Sequence, residues 1–165
     1  GFAHTKSVRS STDVPAALPS CDRTMTNSPA TATGTNHRDA LVYRRAADAF
    51  RNQDLETLAE TIDRDVAWHI PGTSWIARDF VGRGSLLAYL SEVMERTGGT
   101  FRLIDDLVAG TDDHVIAVQR FGLTADGTTR EFPCTSVMRF VDGRQAERWF
   151  HFHELDEFEA FASRL

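Results

Sequence analysis

Two Asp-Gly pairs, Asp126-Gly127 and Asp142-Gly143, separate three strand-like runs in the second half of the chain. Asp-Gly supplies the positive φ angles of a tight hairpin turn, so each pair ties its flanking runs into an antiparallel hairpin. With the run before them, segments 101–109, 115–124, 130–141 and 145–153 are predicted to form a four-strand meander. Such a sheet must bury one face, and the cover is found upstream. Tyr43, Ala46, Ala47 and Phe50 fall at i, i+3, i+4 and i+7, the stripe of a helix packed on something larger. Asn52-Gln53-Asp54 breaks that helix, and Asp54 caps a second one with the stripe Leu55, Leu58, Ala59 and Ile62. Residues 66–70 read as a strand that stops at Pro71-Gly72, and a loop over 73–84 follows. Residues 85–96 are predicted as a third helix ended by Gly98-Gly99, and Leu155, Phe158, Ala162 and Leu165 as a short closing one. Helices grouped early and hairpin-linked strands grouped late give an α+β class, a curved antiparallel sheet covered by helices around a pocket.

Residues 1–38 contrast with this pattern: rich in Ser, Thr, Ala and Pro, without periodicity, they are expected to be a flexible N-terminal extension to a domain over 39–165. Met25 reads as a natural start, with 1–24 as upstream sequence. The chain of 165 residues is 41% hydrophobic, enough for one core. Its net charge of -6, with the acidic excess in the domain, argues against nucleic acid as a partner. No apolar run approaches a bilayer span, so no membrane role and a cytoplasmic location are expected. Cys21 and Cys134 stand in dissimilar contexts and are expected to be free thiols.

The element order resembles the nuclear transport factor 2-like superfamily, which includes the ketosteroid isomerases. Three strings resemble its SnoaL-like group: N-Q-D-L-E-T-L-A-E-T-I-D-R-D-V-A-W-H-I-P-G at 52–72, T-G-G-T-F-R-L at 97–103, and M-R-F-V-D-G-R at 138–144 followed by Trp149. The resemblance implies a cone-shaped fold, a homodimer through the outer sheet face, and a cavity for a mostly apolar small molecule. It implies polyketide- or terpenoid-like cyclisation, isomerisation or hydrolysis without a cofactor, or a binding module of the same fold without chemistry. Departures are visible. The isomerases carry an aspartate base before the proline ending the first strand, where this chain has Ile70. Their oxyanion-hole tyrosine corresponds to Ala46, with Tyr43 one turn away. The Arg-x-Asp pair of limonene-epoxide hydrolases is Arg120-Phe121-Gly122 here.

Candidate site residues follow from alternation along the strands. Glu147, Trp149, His151 and His153 share one face of the last strand, and Arg148, Phe150 and Phe152 the other. The resemblance turns Trp149 inward, which carries His151 into the cavity as first-choice acid or base, with His153 toward the mouth. On the alternative reading both histidines sit at a mouth or an interface. His69 is the second acid/base candidate; the resemblance places Ile70 inward and His69 at the rim. Cys134, Ser136 and Met138 share a face of the third meander strand, with Ser136 as a hydrogen-bond donor to ligand and Cys134 within imaginable reach of His151. Gln119 and Arg120 face opposite ways, so one of them reaches the ligand. Tyr43, Trp68, Trp75, Tyr89, Phe101 and Trp149 supply aromatic walls. His151-x-His153 lacks a dedicated carboxylate, so no metal is expected.

Overall fold

The computed structural model describes residues 34–165. Cys21 and the extension up to residue 33 lie outside the described residues. Gly34 to Arg38, read above as part of the extension, are held against the domain. Gly34 bridges Gly110, and buried His37 caps the first helix by accepting the Asp39 amide at its Nδ1.

The chain runs α1 (Arg38–Arg51), α2 (Leu55–Thr61), β1 (Ile62–His69), β2 (Asp79–Val81), α3 (Arg83–Arg96), β3 (Arg102–Gly110), β4 (Val115–Ala125), β5 (Thr128–Val141), β6 (Arg144–Phe152) and α4 (Leu155–Ala162). Asp54 caps α2 by accepting the Thr57 amide, and Asn52-Gln53 makes the break before it. Strands β3 to β6 form the antiparallel meander, and both Asp-Gly turns put their two residues at positive φ. Two features were not legible in the pattern. Inside the 73–84 loop, β2 pairs with β1; and β1 pairs in parallel with β6, so the six-strand order is β2-β1-β6-β5-β4-β3 and the sheet is mixed. The fold is α+β as expected. Among the described residues no helix is long and apolar enough to cross a membrane.

The hairpin between β5 and β6 is irregular. Phe140 pairs with Gln145 but Arg139 pairs with Glu147, leaving Ala146 as an extra residue. This is a β-bulge, and it moves the register beyond it by one. Met138 therefore lies opposite Arg148, Ser136 opposite Phe150 and Cys134 opposite Phe152. Since opposed residues share a face, Arg148, Phe150 and Phe152 point to the core and Trp149 and His151 to the outside.

Candidate functional site

Helices α1 to α3 lie over the concave side of the sheet and α4 closes one end, enclosing a cavity that opens to solvent on one side. Its wall is aliphatic and aromatic: Ala46, Ala47 and Phe50 from α1, Leu90 and Val93 from α3, Phe121 and Phe150 from the sheet, and Phe158 from α4. Trp68, Ile70, Tyr43 and Tyr89 also line it. The 3.6-residue period of the helices and the two-residue alternation of the strands bring these residues inward. The Tyr89 hydroxyl is occupied, donating to the Ile76 carbonyl at 2.9 Å. Trp68 donates through Nε1 to Gln145 Oε1 at 2.6 Å.

One polar cluster interrupts this wall. Arg148 lines the cavity although only 4% of it is exposed. Its Nη2 donates to Gln119 Oε1 at 3.0 Å, to Ser136 Oγ at 3.1 Å and, more distantly, to Tyr43 Oη at 3.4 Å. The Tyr43 hydroxyl has one proton and two acceptors in range, Gln119 Oε1 at 2.9 Å and Asp105 Oδ1 at 3.0 Å. Asp105 in turn accepts from Arg51 at 3.1 Å, and Gln119 Nε2 donates to Ser136 Oγ at 3.1 Å. The guanidinium carbon lies 4.3 Å from the ring centre of Phe150 and 4.9 Å from that of Trp68, so aromatic faces supply part of the stabilisation that water would otherwise give. Burial drives the Tyr43 phenol well above its usual range, and the nearby Arg148 charge only partly opposes this. Tyr43 is therefore a neutral hydroxyl at physiological pH.

The expected site residues divide by face. Tyr43, Trp68, Ile70 and Tyr89 are in the cavity wall. Gln119 and Ser136 stand behind it, fully buried and bonded to Arg148. Met138 is buried beneath, its sulfur 3.5 Å from Gln145 Nε2. Trp75 is half-buried away from the cavity lining, donating to the Ala162 carbonyl at 2.8 Å with Arg96 over its ring. The inward turn expected for Trp149, and with it His151, is corrected by the bulge at Ala146. His151 is exposed on the outer face opposite Thr135, and Cys134 and His151 point away from each other. The Cys134 thiol is free and buried, pushed up to about 11 by that burial, so it is protonated near neutrality. His153 is exposed, its Nε2 3.0 Å from Thr135 Oγ1. His69 also faces outward, 3.2 Å from both Asp79 and Glu147 and stacked on Trp149 at 5.7 Å. No cluster of three His, Cys, Asp or Glu side chains suited to a metal ion occurs among the described residues.

Arg148 is the residue that sequence reasoning missed. A signal was present: its face carries Phe150 and Phe152, whereas the opposite face carries two histidines and a glutamate, and apolarity alone favours turning the phenylalanines inward.

An α+β cone enclosing an apolar cavity with one buried polar cluster defines a nuclear transport factor 2-like protein, and the comparisons narrow this. The profile of the SnoaL-like domain matches residues 43–148, and the chain belongs to that family. It is 31% identical over 94 residues to the uncharacterized protein Rv0034 of Mycobacterium tuberculosis, a match covering 56% of this chain and 72% of that one. Among solved structures it is similar to Bal32a from a soil-derived mobile gene cassette, with a TM-score of 0.72 and 33% identity over 76% of this chain and 96% of that one. TerC, co-crystallized with polyporic acid, shares the fold with a TM-score of 0.63 and 22% identity over 73% of this chain and 98% of that one.

Proposed function

We propose that the protein performs cofactor-independent acid/base chemistry on a mostly apolar small molecule, holding a carbonyl or enol oxygen against Arg148 and Tyr43 while the rest of the molecule lies in the aromatic cavity. The observation that carries this reading is the convergence of Arg148, Tyr43, Gln119 and Ser136 on one point of a wall that is elsewhere aliphatic and aromatic but for Gln145, which is bonded to Trp68. The Arg148 guanidinium, whose hydrogen bonds described above all come from Nη2, is a donor to the negative charge that develops on oxygen when a carbonyl compound enolises, and the neutral Tyr43 phenol joins it by turning its one proton from Gln119 or Asp105 to that oxygen. Gln119 and Ser136 hold the guanidinium in place, and Gln119 and Asp105 fix the position of the Tyr43 hydroxyl. The chemistry is thus assigned to Arg148 and Tyr43 in place of His151 and His69. The cavity lining, as described, contains no carboxylate or imidazole. The reaction that fits is one on a substrate acidic enough to lose its proton to water or to its own basic oxygen: enolisation, isomerisation or intramolecular cyclisation. The co-crystallisation of TerC with polyporic acid supports a small organic ligand in this fold.

That lack of a lining base also favours a second reading, a binding module that uses the same pocket without turnover. One measurement separates the two. β-Tetralone in D₂O exchanges its α-protons through an enolate, and ¹H NMR follows the loss. The enzyme reading expects exchange faster than in buffer, slowed about 10²–10³-fold in Arg148→Met or Tyr43→Phe, the cost of removing one oxyanion donor. Tetralone that binds without accelerated exchange supports the module.

The homodimer belongs to the same proposal. The outer sheet face presents Trp149 and His151 on β6 and, across Val137 of β5, the 43% exposed Ile116 on β4, as a surface for a second copy. Sedimentation equilibrium of the wild type and of Ile116→Asp measures it, and a monomeric wild type at micromolar concentration refutes it.

A further inference from the structure

Arg148 is a buried cation without a buried anion. Its nearest oxygens are an amide, a hydroxyl and a phenol, all neutral. No carboxylate of the described residues lies within ion-pair distance of it; Asp105 reaches it only through the Tyr43 hydroxyl, and Asp105 is itself paired with Arg51 at 3.1 Å. Of the five N–H donors of a guanidinium, those on Nη2 make all the hydrogen bonds described above. Nη1 takes no partner among the described residues, and Nε is a buried donor left unpaired, the one such side-chain atom among them.

An arginine retains its charge under all physiological conditions, so burial cannot neutralise it. Taking such a charge from water without a counterion is costly, and a fold that only needed to fill this space would do better with an apolar side chain of similar volume. The electrostatic account of the folded chain is left open at one place, which is the wall of the cavity. We propose that the ligand of this cavity binds as an anion: an apolar, largely aromatic molecule carrying one carboxylate or an enol or phenol acidic enough to be ionised near neutrality, its negative oxygen set on Arg148. This rests on the small-molecule reading above and goes beyond it by fixing the charge of the ligand. Where the anion is an ionised enol or phenol, it also explains how enolate chemistry proceeds with no base in the lining, because that molecule has already released its O–H proton to the solvent. The chain as a whole is negative, with a formal charge of -6, so a preference for an anion has to arise locally at Arg148 and runs against the long-range field.

The test uses two molecules of the same shape, 2-naphthoate and 2-naphthamide, titrated calorimetrically into the full chain at neutral pH. The indole N–H signal of Trp68, next to Arg148, reports that binding is inside the cavity. The expected result is that naphthoate binds about 10–100-fold more tightly than the amide, the range for a charge-assisted hydrogen bond in a dry site. Arg148→Met should bring the two affinities together and Arg148→Lys should keep most of the difference. Should the methionine variant fail to fold, the wild-type comparison and the lysine variant carry the test. Equal affinities in the wild type, with the Trp68 signal moving, overturn the anion inference and leave the apolar cavity reading standing. A preference for naphthoate without any Trp68 shift is surface binding and also overturns it. If neither compound binds, the cavity reading fails, and the charge assignment fails with it.

Discussion

Tyr43 and Tyr89 are the only tyrosines in the chain, and burial drives the phenols of both well above their usual range. In the folded protein they keep their protons where free tyrosines ionise, near about pH 10. The unfolded chain binds fewer protons than the folded one above that pH, so stability falls as the pH rises past it. Spectrophotometric titration should show no phenolate signal near pH 10 and then one cooperative rise as the chain unfolds; a smooth rise centred near 10 while circular dichroism stays native would refute this. Arg148 makes a second prediction at this scale. Replacing it with methionine removes the cost of a buried charge, while Tyr43 can still donate to Gln119 and Gln119 to Ser136. The melting temperature of Arg148→Met should stay within about 2–4 °C of the wild type or rise, about 1 kcal/mol in a chain of this size. A fall of many degrees would mean that the guanidinium is structural glue. An unchanged or higher melting temperature would set the guanidinium apart from the structural core and point to a role in the cavity.

At the scale of elements, the cavity is closed by two segments that hold each other. Glu159 of α4 accepts hydrogen bonds from the amides and hydroxyls of Thr73 and Ser74 in the loop after β1. Burial alone would raise the Glu159 carboxyl, but the Ser74 and Thr73 donors outweigh it and hold it below the usual carboxylate range. Gly72, at a φ of 128°, makes the approach possible, since a Cβ there would collide with the Glu159 carboxylate. The group is only partly buried, so water screens much of the gain. The sign is still fixed: a depressed carboxyl stabilises above its unfolded value of about 4.3 and loses that contribution as the pH falls through its folded value. Glu159→Gln should therefore leave the global melt little changed but speed hydrogen exchange at the Thr73 and Ser74 amides, and acidification of the wild type should do the same. Unchanged protection at those two amides would show that the loop is held by Trp75 and Ile76 instead. The closing helix was legible from Leu155, Phe158, Ala162 and Leu165, because a 3.6-residue period is a local signal. The clamp was not, because Glu159, at the border of that stripe, reads as an ordinary charged helix residue and its partners are more than 80 residues away.

For the whole molecule, legibility followed the range of the interactions involved. The helices and the meander could be read because apolar period and Asp-Gly turns act over a few residues. The three-residue β2 exposes both its end residues and carries one buried side chain, too little to form a pattern. The parallel union of β1 with β6 joins residues about 80 apart in sequence, such as Trp68 and Arg148, and no local feature announces it. The candidate site failed at one point: continuous pairing out from Asp142-Gly143 would set Met138 against Glu147 and bring Trp149 and His151 inside, as expected from the sequence, but Ala146 interposes. That single extra residue makes the length of the hairpin, as well as its composition, a determinant of chemistry. The last strand carries two complete sets of side chains: one offers a guanidinium and two phenyl rings, the other a carboxylate, an indole and an imidazole. A one-residue deletion at 146 would exchange one set for the other in a single genetic event without altering any residue from Glu147 onward. In such lineages, gains and losses of one codon at this hairpin are therefore the changes to watch for new activities on an old scaffold, and alignments that close a gap there will match residues that never shared a side of the sheet.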